Sequence, residues 1–264
     1  MICSVRAELT KILRRKVVLL TAAVALVFAI GATALVVAAA EPAASLGPGA
    51  DRTLSVEALP AAGGGTQVFR DAVSFVGFFV LVVFVGWTAV EFSRGTMRTM
   101  LLRQPRRIPL LAGKVAALLG FAAATLACVE LVSWFTALVL APGSGIDTSA
   151  WTSLAALRAG VVDYGAALVW VAGYALLGTA LAVVLRSVTV ALAVGIAWFG
   201  PFEHILQNNW AGAARYFPGL SLEAFAAGGT SEVGVGHALV VVTLVVVVAV
   251  LVACTSFVRR DVTA

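Results

Sequence analysis

The residues most able to bind or react lie in one basic segment, Glu91–Lys114, between two long apolar runs. A cationic stretch in this position is typical of the cytoplasmic loops of membrane proteins. Only Gly95 disfavours a helix in its first half, whereas Gln104 precedes Pro105 and is therefore pushed out of the helical region. We expect the preceding span to continue as a helix into the cytoplasm and then to turn sharply, a shape that suits docking onto another protein. The basic residues of the segment are Arg94, Arg98, Arg103, Arg106, Arg107 and Lys114.

The chain lacks the residues that a nucleotide-binding or catalytic site needs. Gly113 and Lys114 have no second glycine upstream at the spacing of a phosphate-binding loop, so that loop cannot form. An intramembrane enzyme would require a nucleophile paired with a base within the bilayer, and no such pair is visible in the sequence. Cys3, Cys128 and Cys254 are too scattered to favour a disulfide or a metal site. We expect no catalytic residue, metal or cofactor in this chain.

Two polar residues inside the apolar runs, Glu130 and Tyr174, are candidates for a substrate path. A charge in the bilayer costs about 2.5–3.5 kcal/mol on insertion scales, so such residues usually face the protein interior. Their predicted depths are similar, which makes the Tyr174 hydroxyl a candidate partner for the Glu130 carboxyl. The sequence leaves open whether Glu130 only holds two helices together or meets a substrate. Asp163 and the Glu203–His204 pair lie nearer the ends of their runs and are expected at a solvated interface.

Composition places these residues in an integral membrane protein. The chain is 61% hydrophobic and 12% charged, whereas soluble domains carry about 25% charged residues. Its pI of about 9.6 could indicate nucleic acid, but 14 of the 18 basic residues fall in segments expected to be cytoplasmic. That asymmetry follows the positive-inside rule and requires no nucleic-acid partner. Both termini are basic and are expected in the cytoplasm.

Six apolar runs predict an all-α membrane protein with a single six-span domain over residues 1–264. The first run has 24 residues and reaches about 36 Å, enough to cross a hydrocarbon core of about 30 Å. None of the connecting segments is long enough for a separate soluble domain. The predicted spans are Val17–Ala40, Ala72–Val90, Val115–Ala141, Val161–Leu185, Val188–Ile205 and His237–Val258.

Three further patterns refine this architecture. Before the first span, apolar and basic residues alternate at helical spacing, which favours an amphipathic helix along the cytoplasmic interface over a simple charged flank. In the fifth span, Pro201 should kink or end the helix. The connection Asn208–Gly236 is rich in aromatic residues, which predicts short helices dipping into the outer leaflet. The amphipathic pattern places Val5, Leu9, Ile12 and Leu13 opposite Arg6, Lys11, Arg14 and Arg15.

Taken together, these residues resemble the membrane subunit of type-2 ATP-binding-cassette (ABC) transporters, in their bacterial exporter-type form. The resemblance covers essentially the whole chain. It is carried by RAELTKILRRK before the first span, by FVRRD after the last, and above all by a motif between the second and third spans. That motif consists of Glu91, Gly95-Thr96, Pro105, Arg107 and Gly113-Lys114.

The resemblance implies a six-span permease in the bacterial cytoplasmic membrane, forming a homodimer or a heterodimer. The loop after the second span would be a coupling helix seated on a separate cytoplasmic ATPase, which binds ATP and Mg and hydrolyses the ATP to drive export. Another class remains open, a membrane sensor that signals without transport; a membrane-embedded enzyme is the least supported. The partner-coupling residues that the resemblance implies are Glu91, Gly95, Thr96, Arg98 and Arg107.

Overall fold

The computed structural model describes residues 2–40, 58–74 and 77–260, and it is all-helical, with 85% helix and no strand among those residues. The all-α class expected from the sequence is confirmed for this part of the chain. In chain order the α-helices are α1 (Ile2–Ile12), α2 (Arg15–Ala38), α3 (Gly64–Ser74), α4 (Gly77–Ser93), α5 (Thr96–Arg103), α6 (Arg107–Leu140), α7 (Leu154–Leu185), α8 (Val188–Ala197), α9 (Glu203–Asn209), α10 (Pro218–Ala226) and α11 (Val235–Arg259).

Five helical stretches in the described ranges are long and apolar enough to cross a membrane. The bent pair α4 and α5 brings the number to six if it is counted as one span. Apolar helices of this length and number indicate a membrane protein, because crossing the hydrocarbon core takes about 20 predominantly apolar residues. The five stretches are Arg15–Ala38, Arg107–Ser144, Leu154–Leu185, Val188–Asn209 and Val235–Arg259.

The helices extend beyond several of the predicted spans. Helix α6 begins at Arg107 instead of residue 115, and α7 begins at Leu154 instead of residue 161. The Ser153 hydroxyl caps α7 by accepting a hydrogen bond from the Ala156 amide at 3.2 Å, so that helix starts well before its apolar part. The predicted second span, 72–90, covers the end of α3, two residues outside the described ranges and most of α4.

Helix α7 is the central element of the bundle. Of its most apolar window 61% is buried, against 11–22% for the other four candidate spans. Two glycines permit close packing, because a Cβ on Gly178 would lie 2.9 Å from the Leu81 carbonyl and one on Gly173 would lie 2.5 Å from Leu222. Helices α4 and α10 therefore pack directly against its backbone, and α6 and α11 flank it.

The fifth candidate span is interrupted where the sequence predicts it. Regular helix ends at Ala197, and a π-helical turn, Trp198–Phe202, carries Pro201 into α9. Proline lacks the amide hydrogen that the α-helical ladder needs, which explains the wider turn. Beyond it, the connection 208–236 contains one short α-helix, α10, and a 3₁₀ turn at Ala213–Arg215, whereas α9 begins within the predicted fifth span and ends at Asn209.

Candidate functional site

The basic motif forms a sharp corner between α4 and α5. Gly95 has φ 68° and ψ 5°, a left-handed conformation that favours glycine, and the two helix axes differ by 75°. The expectation of an unbroken helix from the second span is therefore wrong, because the chain bends at Gly95. The Thr96 hydroxyl donates a hydrogen bond to the Glu91 carbonyl at 3.2 Å and braces the corner. Helix α5 ends at Arg103, and Gln104 leaves the helical region before Pro105 as expected.

One face of α5 packs on the bundle and the other is open. Met97 is fully buried, in an apolar cluster with residues of α6, α7 and α11. Beside it, the rings of Phe92 and Phe257 meet edge to face at 6.0 Å. Arg98 lies on the exposed side, and Leu102 is 79% exposed. Helix α5 thus has one face packed on the bundle and a free face that carries a cation and a large apolar side chain. A short helix of this kind has the form of a docking element.

A closed ring of four charged side chains lies next to this corner. The Lys11 ammonium contacts Glu8 at 2.8 Å and Glu91 at 3.1 Å. The Lys114 ammonium contacts the same two carboxylates, Glu8 at 3.4 Å and Glu91 at 2.9 Å. The Trp87 indole N–H donates to Glu8 at 3.3 Å. The ring is neutral overall and joins α1, α4 and α6; we call it the ion ring.

The ion ring is largely removed from solvent. Glu8 and Lys114 are buried, Glu91 nearly so, and only Lys11 is partly exposed. Burial raises the pKa of the Glu8 carboxyl, but Lys114 and Lys11 more than offset it, so the pKa falls below its ordinary value of 4.5. Desolvation lowers the pKa of Lys11, yet its contacts with Glu8 and Glu91 prevail and the pKa rises above 10.5. The electrostatics therefore keep both groups charged at neutral pH.

The ion ring corrects the expected role of α1. The amphipathic pattern placed Lys11 on the polar face of a helix along the cytoplasmic interface, whereas its ammonium enters the ring. Ile12 packs in a cluster with Phe84 and residues of α6, so the apolar face of α1 covers protein. Sequence reasoning missed Glu8 as a site residue. The Glu8–Lys11 spacing of three is the local signal that could have drawn attention to it.

Arg107, expected at a partner surface, caps the last helix. Its guanidinium donates to the carbonyls of Phe257, Val258 and Arg260 at 2.8, 3.2 and 2.9 Å. These carbonyls lie at the C-terminus of α11, where the last carbonyls have no amide donors within the helix and the helix dipole favours a cation. Arg186 adds a second donor to Arg260, and Arg260 in turn donates to the end of α7.

Far from the ion ring, a second charged group joins α3, α6 and α7. Arg70 and Asp163 form an ion pair at 2.8 Å, and Arg70 also donates to the Ala227 carbonyl at 2.7 Å. Asp163 is buried, so its expected place at a solvated interface is wrong. Glu130 is half-buried and interacts electrostatically with Asp163, and its carboxylate lies beside Gly160. Among the described residues no hydrogen bond or ion pair engages Glu130.

Tyr174 and Glu203 have other partners than the sequence predicts. The Tyr174 hydroxyl donates to the Gly219 carbonyl at 3.5 Å instead of to Glu130. Glu203 is completely buried, so the solvated position expected for it is also wrong. Its carboxylate accepts a hydrogen bond from the Leu220 amide at 2.9 Å, in the first turn of α10. Tyr174 and Glu203 thus hold α10 against the bundle.

Fold and site together define a helical membrane protein with a charged corner at one end of its bundle. The chain belongs to the family described as protein of unknown function (DUF2705), whose model matches residues 54–263. No curated protein and no solved structure matches the sequence. The matched residues include α5 and two members of the ion ring, Glu91 and Lys114, whereas α1 lies outside them.

Proposed function

We propose that this chain is the permease subunit of an ABC transporter that exports a substrate across the bacterial cytoplasmic membrane. In this proposal α4 is the second of six spans, with α5 as the cytoplasmic coupling helix that follows it. A separate ATPase subunit binds ATP and Mg and docks on α5. The permease works as a homodimer or pairs with a second permease.

The observation that carries the proposal is the 75° corner at Gly95. A span that ends in a sharp corner can transmit force, because a push on α5 acts on α4 through the bend and on α6, α7 and α11 through the buried side chain of Met97. The exposed side of α5 offers Arg98 to an acidic groove and Leu102 to an apolar one. Such a surface supports docking of a soluble partner more than contact with lipid tails, where a charge is costly.

The substrate path is proposed to run past Glu130. Its carboxylate is half-buried and forms no ion pair with any residue in the described ranges, in contrast to Asp163, which Arg70 neutralises. A free acid inside a bundle is a functional candidate because it is expensive to keep there. Tyr174, also proposed from the sequence, packs edge to face on Trp170 and Phe199, and we keep it as a candidate for another part of the path.

The test is reconstitution with a candidate ABC ATPase subunit, sought among the reading frames that neighbour the one for this chain. Proteoliposomes containing both subunits should show ATP-dependent flux and ATP turnover that depends on the permease. Arg98→Glu should weaken binding of the ATPase, because it reverses the charge on the free face of α5. Arg158→Glu is the matched control, since Arg158 is an exposed arginine on α7 far from α5.

Three results would contradict the proposal: no binding of any ATPase, ATP turnover without flux, or equal loss in the Arg98→Glu and Arg158→Glu proteins. Ligand-dependent signalling in the absence of ATP-driven flux would instead favour the sensor class that the sequence leaves open. Flux and ATP turnover measured on the same preparation separate these cases.

A further inference from the structure

The ion ring reaches beyond α1, α4 and α6 to the corner and to α5. The Lys11 ammonium lies 3.8 Å from the Met100 sulfur of α5. Glu91 belongs to the ring through its side chain and to the corner through its carbonyl, which accepts the Thr96 hydroxyl at 3.2 Å. One residue thus links the ring to the helix that follows the bend.

The topology of the ring makes its members interdependent. Each ammonium contacts both carboxylates, so Lys11 and Lys114 are each shared between Glu8 and Glu91. Removing one partner of a buried pair is strongly destabilising, because it leaves an uncompensated charge. If Lys114 is lost, the two carboxylates must share the partly exposed Lys11. That arrangement favours release of α1 and relaxation of the corner.

We infer that Glu8, Lys11 and Lys114 are positioning residues for α5, and that α1 is a working part of the docking assembly. The ion ring fixes the angle at which α5 leaves the bundle, and α1 supplies half of the ring. Sequence distance hides this role, since Glu8 and Lys114 are 106 residues apart. The inference rests on the proposed function only where α5 is taken to bind an ATPase.

The position of α5 can be measured on the permease alone, in lipid nanodiscs. Spin labels at Arg98→Cys on α5 and Thr189→Cys on α8 report the distance between these helices; both sites are exposed. The background carries serine in place of the native cysteines. The parent protein should give one narrow distance distribution. Lys114→Gln and Glu8→Gln should each broaden it or add a second population.

A double variant separates positioning from general damage. Glu8→Gln together with Lys114→Gln leaves the neutral Lys11–Glu91 pair, so the distribution should return towards that of the parent. Non-additivity of this kind is the signature of directly interacting groups. Lys16→Gln is the matched control, because Lys16 is exposed at the start of α2, outside the ion ring, and it should leave the distance unchanged.

Two outcomes would overturn the inference. One is a lowered thermal stability of the single variants with an unchanged α5–α8 distance, which would make the ring structural only. The other is a double variant whose α5–α8 distance distribution is broadened by the two single increases in width added together. If the single variants do not fold, the double variant still decides: a folded protein with a distance distribution close to that of the parent supports the inference, and a folded protein with a broad distribution overturns it.

A second measurement connects the ring to the partner. Affinity for the ATPase should fall in Lys114→Gln and recover in the double variant, in step with the distance. If the parent binds no ATPase, the proposed function fails while the distance result stands. If the parent binds the ATPase and the ion-ring variants bind it with the same affinity, the claim that α1 takes part in docking fails, while the proposed function stands.

Discussion

Single residues at the basic end of the bundle divide into those that hold the fold and those that face outwards. Arg107 and Arg98 belong to the same basic segment, yet the first donates to three carbonyls at the end of another helix and the second is exposed. The charge and spacing of the two arginines in the sequence do not distinguish these roles. Only the three-dimensional structure shows that the Arg107 side chain caps the C-terminus of α11.

The first prediction at this scale concerns pH and the attachment of α1. The folded pKa of Glu8 is lowered below 4.5, so its stabilising contribution is present above pH 4.5 and is lost as the pH falls through the folded pKa. The folded pKa of Lys11 is raised above 10.5, so its contribution is present below pH 10.5 and is lost as the pH rises through the folded pKa. A spin label at Arg6, exposed on α1, should therefore show constant mobility from pH 6 to 9 and greater mobility only in strong acid or base.

The Glu8→Gln protein is the reference for that titration. Its label should already be more mobile at pH 7 and should lack the acid step, because no carboxylate remains at position 8 to protonate. A change of mobility between pH 6 and 8 in the parent would contradict the assignment.

A second residue-scale prediction compares Arg107→Ala with Arg106→Ala. Hydrogen bonds to a charged donor contribute about 1.5–3 kcal/mol, so loss of the Arg107 cap should lower the midpoint of thermal unfolding and expose the end of α11. Arg106 is exposed and its substitution should have little effect. Arg107→Lys should be intermediate, because lysine keeps the charge but lacks the planar fork.

The measurement is thermal unfolding in detergent, with proteolysis after Arg259 as a probe of α11. The capping role would be contradicted if Arg107→Ala and Arg106→Ala unfolded at equal midpoints and only Arg107→Ala lost ATPase binding. Arg107 would then belong to the partner surface, as proposed from the sequence.

The third prediction at this scale contrasts two buried acids. Asp163→Asn should destabilise the protein, because it leaves the half-buried Arg70 without its counter-ion. Glu130→Gln should be as stable as the parent or more so, since it removes a charge that has no ion pair and lies near Asp163. Thermal unfolding separates the two variants, and a Glu130→Gln protein less stable than Asp163→Asn would refute the contrast. With stability retained, lost flux in Glu130→Gln would favour the substrate path over a packing role.

At the scale of elements, Gly95 decides whether α4 and α5 form a corner or one helix. A Cβ at this position meets nothing within 4 Å, so the cost of substitution is conformational. The left-handed region costs non-glycine residues about 1–2 kcal/mol, and alanine favours a continuous helix. Gly95→Ala should therefore reorient α5 and lengthen the distance between labels at Arg98 and Thr189.

Gly95→Asn provides the control, because asparagine tolerates the left-handed conformation better than alanine. It should keep a distance close to that of the parent. If alanine and asparagine give the same distance as glycine, buried contacts at Met97 hold the corner without help from the backbone at residue 95.

Elements were predictable from the sequence where one segment determines its own structure. Long apolar runs predict spans because a bilayer admits few alternatives, and Pro201 and Pro105 mark breaks because proline lacks an amide hydrogen. Contacts between distant segments were not predictable. The pattern of α1 indicates its two faces but not that Glu8 meets Lys114. Likewise, proximity to the end of a run suggested water around Asp163, whereas Arg70 pairs with it inside the protein.

At the scale of the whole molecule, the charges define two ends. The ion ring, the corner and the capping arginines share one end with the starts of α1 and α6 and with the C-terminus of α11. Arg70 and Asp163 lie towards the other end, where α9 and α10 also pack. Since cations concentrate on the cytoplasmic side of membrane proteins, the end with the ion ring is proposed to be cytoplasmic.

The last prediction tests this orientation in intact cells with a thiol reagent that does not cross the membrane. In a background lacking the native cysteines, Ser144→Cys and Glu232→Cys should react, because both positions are exposed at the end proposed to be external. Arg98→Cys, equally exposed on α5, should react only after the cells are opened. Ser221 lies in the same external connection but is completely buried, so a cysteine there should stay unreactive on either side and report background labelling. Labelling of Arg98→Cys in intact cells, together with protection of Ser144→Cys, would show that the orientation is the reverse of the one proposed. No cytoplasmic ATPase could then reach α5.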